Sequence, residues 1–331
     1  MKKEVILVCG GAGYIGSQTV KELKEAGYFP VTYDNLSTGH RGAVLAGDFA
    51  LGDLADTQRL AQVFRKYQPQ AVMHFAASIE VAESVKNPAK YFENNLANGL
   101  NLLKVMLQNE VKKLIFSSTA AVYGNPQKTP IRESDPTQPI NPYGLSKLMF
   151  EQILSWYAQA YGLRSISLRY FNAAGADPSG RLGQDSPKPT HLITRAILTA
   201  LGQEPFLEVY GTDYPTPDGT CIRDYIHIKD LAIAHILALK ALNKGTFSPV
   251  YNLGTEKGFS VKEVIAMTKK VTKVDFLVRQ AKRRPGDPAV LIASTEKAKK
   301  ELGFKPRYSD LETIIKTAWQ WHKTHPRGYQ T

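Results

Sequence analysis

Cysteine is nearly absent: 331 residues contain two, Cys9 within an apolar run and Cys221 far downstream. Two distant thiols build neither a disulfide framework nor a cysteine zinc site, so no metal centre is expected and a reducing cytoplasm is the expected compartment. Long apolar runs are missing too. No segment approaches the roughly 20 apolar residues that a bilayer span requires. The opening Met1-Lys2-Lys3-Glu4 leads into only Val5-Ile6-Leu7-Val8 before glycines begin, which is short for the core of an export signal. No membrane partner is expected. Acidic residues are in deficit, 30 against 42 Lys and Arg, for a formal charge of +12. Clustered cations would suit a nucleic acid by releasing its counterions. Here the excess is scattered or falls in late segments such as Lys269-Lys270, Arg283-Arg284 and the stretch from Lys297 to Lys300. Solvated helix faces account for most of it and a small anionic diphosphate for the rest, so no nucleic-acid partner is expected.

What is present is an alternation of short β-branched runs with amphipathic stretches, the pattern of parallel strands joined by crossover helices. Strands are predicted at Val5 to Cys9, Val31 to Tyr33, Ala71 to Phe75, Lys113 to Ser118 and Ser165 to Tyr170. Helices are predicted near Ile15 to Ala26, Thr57 to Tyr67, Ala89 to Gln108 and Tyr143 to Tyr161. This is an α/β chain with a doubly wound parallel, Rossmann-type sheet, which binds its ligand at the carboxyl ends of the strands. After Asn172 glycine and proline punctuate the chain, with helices near Leu192 to Leu201, Ile228 to Leu242 and Leu311 to His322. The expected division is a nucleotide-binding domain over 1–172 and a smaller mixed α/β substrate domain over 173–331. Residues near 226–254, Val250 to Leu253 among them, are candidates to return to the large sheet.

Gly10-Gly11-Ala12-Gly13-Tyr14-Ile15-Gly16 follows the first strand and opens the first helix. A tight turn and close approach of backbone to a pyrophosphate both require residues without a Cβ, and the helix amino terminus offers free N–H groups. Asp34 closes the second strand about twenty residues on, where a carboxylate accepts hydrogen bonds from an adenosine ribose and repels the extra phosphate of NADP. NAD is therefore the expected cofactor. Asp53, in Gly52-Asp53-Leu54, suits either the adenine amino group or a cap for the next helix.

Tyr143-Gly144-Leu145-Ser146-Lys147 puts a phenol and an ammonium on one helical face. An adjacent ammonium favours the phenolate and lowers the tyrosine pKa toward a range useful for proton transfer. Ser117-Ser118-Thr119 ends the fourth predicted strand beside the same crevice, offering a hydroxyl to share that proton or a cap for the following turn.

The glycine run, Ser118-Thr119-Ala120-Ala121-Val122-Tyr123-Gly124 and Tyr143 to Lys147 resemble the extended short-chain dehydrogenase/reductase family. Asp34-Asn35-Leu36, Phe75-Ala76-Ala77, Asn94-Asn95, Arg169-Tyr170-Phe171-Asn172, Asp213-Tyr214-Pro215-Thr216, Arg223-Asp224-Tyr225-Ile226-His227 and Arg283-Arg284-Pro285-Gly286-Asp287 extend the likeness to its UDP-hexose 4-epimerase branch almost end to end. The resemblance implies an NAD-dependent exchange of UDP-glucose and UDP-galactose through a 4-keto intermediate. In it Tyr143 is the base, Lys147 tunes the phenol and holds the nicotinamide ribose, and Thr119 is the family's hydroxyl residue. It adds Gly10, Gly13, Tyr14, Ile15 and Gly16, then Asp34, Asn35, Leu36, Ser37, Thr38 and Gly39, then Asp53, Leu54, Phe75, Ala76, Ala77, Ser78, Asn94, Ser117, Tyr170 and Phe171 as cofactor contacts. Asn172, His191, Leu192, Val209, Tyr210, Arg223, Arg284, Asp287 and Leu291 are its implied substrate contacts, with the two arginines on the diphosphate and Asp287 on the uridine ribose.

Two departures stand out. His191 replaces the usual asparagine, leaving open a substrate contact or a role in capping or packing the next helix. Leu291 occupies a position that limits pocket volume, so acceptance of N-acetylhexosamines or pentoses is open. A dehydratase of the same fold carries an Asp-Glu pair after the threonine, where this chain has Ala120 and Ala121. A non-catalytic NAD-sensing module is the reading from another class. The helices around Ala89 to Gln108 and Tyr143 to Tyr161 resemble a dimer-forming pair, so a homodimer is expected.

Overall fold

The computed structural model describes residues 3–186, 189–245, 249–284 and 287–329. In chain order its elements are β1 (Val5–Cys9), α1 (Tyr14–Glu25), β2 (Phe29–Asp34), β3 (Asp48–Leu51), α2 (Thr57–Tyr67), β4 (Ala71–His74), α3 (Val81–Lys86) and α4 (Pro88–Tyr91). A π-helical segment (Phe92–Ala97) joins α4 to α5 (Asn98–Gln108), followed by β5 (Lys113–Thr119), a 3-10 turn (Ala120–Tyr123), α6 (Pro142–Tyr161) and β6 (Arg164–Tyr170). Then come β7 (Asn172–Ala174), α7 (Leu192–Ala200), β8 (Leu207–Tyr210), β9 (Ile222–His227), α8 (Ile228–Lys244), β10 (Val250–Leu253), β11 (Gly258–Ser260), α9 (Val261–Thr272), β12 (Val278–Ala281), β13 (Val290–Leu291) and α10 (Leu311–Thr324).

The large sheet has the order β10-β6-β5-β4-β1-β2-β3, with every neighbouring pair parallel. A parallel sheet is covered on both faces, which is why its strands read as continuous apolar runs. Alternation along β1 divides the two cores. Ile6 and Val8 join Val20 and Leu23 of α1 and Leu231, Leu239 and Leu242 of α8. Leu7 and Cys9 join Leu60 and Phe64 of α2, Leu102 and Met106 of α5, and Phe150 and Leu154 of α6. The expected doubly wound sheet is thus present, and α8 and β10, distant in sequence, belong to its layers.

Beyond β6, β7 pairs with β9, which carries β11 on one side and β13 on the other. β8 and β12 form a separate parallel pair. α7, α9 and α10 cover this smaller mixed region through Ile193, Ile197, Val264, Leu311, Ile314 and Ile315. Because β7 follows β6 after one residue, the crevice at the carboxyl ends of β5 and β6 opens directly onto the second region.

Candidate active site

The glycine loop is held by backbone. Gly10 has φ +79°, and a Cβ there would stand 2.5 Å from the amide nitrogen of Ala76. A Cβ on Gly16 would meet the Gly10 carbonyl oxygen at 2.1 Å. Gly13 differs: its nearest obstacle lies at 3.4 Å, and it caps α1 with no side-chain bond. The first-turn N–H groups of α1, those of Tyr14 and Ile15 among them, have no carbonyl of their own helix to meet. The Asp34 carboxylate accepts from Ala12 N and Leu36 N, both at 2.9 Å. Each oxygen keeps lone-pair capacity for a further donor. Burial raises its pKa and the two backbone bonds oppose the rise. Asn35 donates to Asp53 at 2.6 Å and caps Ser37 N, while Leu36 takes φ +60°. Ser37 and Thr38 are exposed, and Gly39 is buried against Ala12 and Asp34. Leu54 is buried. Of the two readings of Asp53, the helix cap fails: Asp56 caps α2 by accepting from Arg59 N, and Asp53 accepts from Ala55 N and Asn35.

The loop after β4 closes the floor. Phe75 N and Ala76 N donate to the Cys9 carbonyl, and the Phe75 ring lies 4.6 Å from His235. Ala77 and Ser78 follow. Asn94 reaches the Ser78 hydroxyl, and Asn95 brackets Ser78 by accepting from its N–H and donating to its carbonyl. Asn95 also donates to Ser146 of α6 at 3.1 Å. Both asparagines lie in the π-helical segment, whose extra residue per turn re-aims side chains and recurs at functional sites.

Thr119 ends β5, where its side chain accepts from Ala121 N at 3.1 Å and caps the 3-10 turn. α6 then carries Tyr143 in its first turn, after Asn141 caps Gly144 N. The structure departs from the sequence argument on electrostatics. Burial pushes the Tyr143 phenol up from its ordinary value, the Thr119 hydroxyl bonded to it eases it back, and the charge of Glu80 raises it again. Lys147 is shifted the other way. Burial brings it down to about 7, with Glu151 opposing, while its Nζ donates to the Ser117 carbonyl at 2.8 Å. A lysine pressed against Phe116 in a dry interior loses the solvation that keeps it charged. The Ser117 hydroxyl bonds the Tyr170 phenol, and Phe171 and Asn172 continue into β7.

On the second region, Asn172 donates to the Asp224 carbonyl at 2.9 Å. Leu291 pairs with Arg223 in register and packs with Ala120, Phe171 and Ala293, so it forms a wall shared with the Thr119 turn. Arg223 and Asp287, assigned to different parts of one ligand, here form an ion pair with each other. Arg284 stacks on Tyr210 at 3.9 Å, Val209 is buried beside it, and Pro285 and Gly286 of that motif lie outside the described residues. His191 precedes α7 without a side-chain cap, so the capping reading fails; its ring bonds Gln184 at 2.9 Å. Leu192 turns inward against Ile193 and its neighbours.

Several residues escaped the sequence reading. Glu80 acts on Tyr143 from the segment before α3. Glu151 holds Arg169 through both carboxylate oxygens and accepts from Ser118, while Arg169 also donates to Tyr123, forming a buried network directly behind the reacting groups. The i, i+4 spacing of Lys147 and Glu151 on α6 was the available signal.

A model of the NAD dependent epimerase/dehydratase family matches residues 6–254. The UDP-glucose 4-epimerase of Halalkalibacterium halodurans is 53% identical over 326 residues, 98% of each chain. The UDP-glucose 4-epimerase of Brucella ovis, solved in complex with NAD, superposes with a TM-score of 0.94 at 51% identity, covering 96% of this chain and 97% of that one. The UDP-Glc/GlcNAc 4-epimerase of Campylobacter jejuni gives 0.85 at 47% identity, over 97% and 99%. With its glycine loop, its ordered sheet and its Thr-Tyr-Lys set in these places, the chain belongs to the NAD dependent epimerase/dehydratase family.

Proposed function

We propose that the protein interconverts UDP-glucose and UDP-galactose by transient oxidation at carbon 4. The observation that carries the reading is the placement of Thr119 at the carboxyl end of β5 and of Tyr143 in the first turn of α6, beside a glycine cradle open at Gly13. The cradle and the two free lone pairs of Asp34 fit NAD, which when bound supplies the hydride acceptor and a positive ring whose charge favours phenolate. Tyr143 takes the proton of the 4-hydroxyl as the carbon-bound hydrogen leaves as hydride. Both return, the hydride to the opposite face of carbon 4, so no net oxidation results. Thr119 relays the proton and orients the hydroxyl, and Lys147 holds the nicotinamide ribose. Asn172, Arg223 and Arg284 bind the diphosphate; for this Arg223 exchanges Asp287 for phosphate, which frees that carboxylate for the uridine ribose.

Ala120 and Ala121, where a dehydratase needs an acid pair, favour epimerisation alone. In this reading residues 1–172 with α8 and β10 hold NAD and 173–331 mainly hold the UDP-sugar. Exposed apolar residues on α5 and α6 support a homodimer, and two buried free thiols support a cytoplasmic location. A second reading, turnover of UDP-N-acetylhexosamines, is favoured by Leu291, which is smaller than a tyrosine would be on the same wall.

The test offers purified protein UDP-galactose and UDP-N-acetylgalactosamine separately, with no cofactor added, and identifies the products. Conversion to the gluco epimer is expected for the first. No conversion with NAD still tightly bound would point instead to a sensing module.

A further inference from the structure

The segment after α10 reaches back to the cofactor cradle. Gly328 N donates to the His325 carbonyl at 3.0 Å and Gly328 takes φ +70°, a turn that brings the next residue onto the loop between β7 and α7. Tyr329 is tied to that loop by three hydrogen bonds. Its N–H donates to Asp185 Oδ2 at 2.8 Å, and its hydroxyl accepts from Gly183 N at 2.9 Å and donates to the Gly183 carbonyl at 3.2 Å. Asp185 in turn meets His40, whose Nε2 lies 3.4 Å from both the Asp185 carbonyl oxygen and Oδ2. Both partners are acceptors, so that nitrogen carries a proton. The His40 ring stacks on the Tyr329 ring at 5.2 Å. His40 is itself fastened to the cradle: its N–H donates to the Ala12 carbonyl at 3.0 Å, and Gly39 beside it packs on Ala12 and the Asp34 carboxylate. Tyr14 adds a second tie between the regions, from its hydroxyl to the Gly175 carbonyl. The turn tolerates no side chain at 328, where a Cβ would stand 2.0 Å from Asp185 Oδ2.

Resting on the transient oxidation proposed above, we propose that Asp185 and Tyr329 are positioning residues that clasp the Gly39-His40 wall of the cradle and so slow the release of NAD. Both act through His40 and the Ala12 backbone rather than on the cofactor itself. Slow release serves a reaction that returns the hydride it removes, because a cofactor lost between the two transfers strands the oxidised sugar. The clasp joins the second region to the first at the cofactor rather than at the sugar, so its loss leaves the diphosphate arginines, Arg223 and Arg284, in place.

The test loads the wild-type chain and its variants with NADH, chases with excess NAD and follows the loss of bound-NADH fluorescence. Asp185→Ala and Gly328→Ala are expected to release NADH about tenfold faster than wild type, the effect of losing one hydrogen bond to a charged group. In Gly328→Ala the added methyl displaces the Asp185 carboxylate from Tyr329 N and His40. Asp185→Asn keeps an acceptor oxygen for Tyr329 N and should fall between Asp185→Ala and wild type. Arg327 is exposed on the same segment, and Arg327→Ala should release NADH as wild type does. UDP binding, read by calorimetry, should stay within about twofold of wild type in every variant, since no bond to UDP is removed; a general loosening of the fold would weaken it too. Wild-type release from Asp185→Ala, faster release from Arg327→Ala, or a parallel loss of UDP affinity overturns the proposal. Should Gly328→Ala fail to fold, the two Asp185 variants decide. The chase needs neither sugar nor turnover, and the products formed from UDP-galactose judge the epimerase reading by themselves, so the two failures are separate.

Discussion

At the level of single residues, the site separates proton chemistry from charge tuning. Tyr143→Phe removes one oxygen and leaves the ring packing, so the variant should fold and bind NAD while kcat falls by roughly 10²–10⁴; a near-normal rate would remove the phenol as base. Lys147 makes a pH-dependent contribution whose sign can be worked out. Its folded value of about 7 lies below the unfolded 10.5, so between them the unfolded chain holds a proton that the folded chain has released. Stability from this group therefore rises with pH across that window. In cofactor-free protein, the Tm of Lys147→Met minus that of wild type should fall as pH rises from about 7 toward 10.5, the window set by those values. A flat difference would mean that the lysine is not depressed. Leu291→Tyr should suppress N-acetylhexosamine turnover while sparing hexoses, measured as the ratio of kcat/KM values; equal loss on both would show that this wall does not gate size. The Tyr143 and Lys147 spacing was legible because helical geometry is local. The direction of the Tyr143 shift was not, because it is set by burial and by Glu80, 63 positions away (143 − 80).

At the level of elements, the glycine loop makes a graded prediction. Gly16→Ala forces a methyl into the Gly10 carbonyl and should cost about 1–3 kcal/mol, read from denaturant unfolding. Gly13→Ala meets nothing closer than 3.4 Å, so stability should hold while NAD affinity drops, read from a cofactor titration. Equal effects of the two changes on folding would contradict the division between a packing glycine and a phosphate-facing one. Strands buried on both faces and long periodic helices were readable from composition. Asp48–Leu51 went unread because four residues of edge strand carry too short a pattern, whereas α9 had announced itself. Ser260 and Glu263 form a complete capping box there, a signal present in the sequence and passed over. The predicted helix from Ala89 to Gln108 is divided by its π-helical segment, because Asn94 and Asn95 reach back to Ser78.

At the level of the whole molecule, the exposed apolar residues Leu100 of α5 and Leu145 and Trp156 of α6 suit burial in a second copy; Trp156 is 68% exposed. The wild type is expected to run as a dimer by light scattering and the doubly substituted Leu100→Glu, Trp156→Glu chain as a monomer; an unchanged mass would place the interface elsewhere. The sequence by itself determined the Rossmann-type half, the glycine loop, Asp34 and the Tyr143–Lys147 spacing, because each depends on periodicity or spacing within one strand–helix unit, while Thr119 was singled out by family resemblance. Only the tertiary structure decided that β10 closes the sheet beside β6 and that Arg223 meets Asp287. It alone brought Glu80 to Thr190 and Tyr123 to Asn252. Those juxtapositions join segments that the chain separates widely, and they arise when parallel strands stack their carboxyl ends at one edge. No local pattern records them, since the energy that holds them comes from packing that exists only after the sheet has formed.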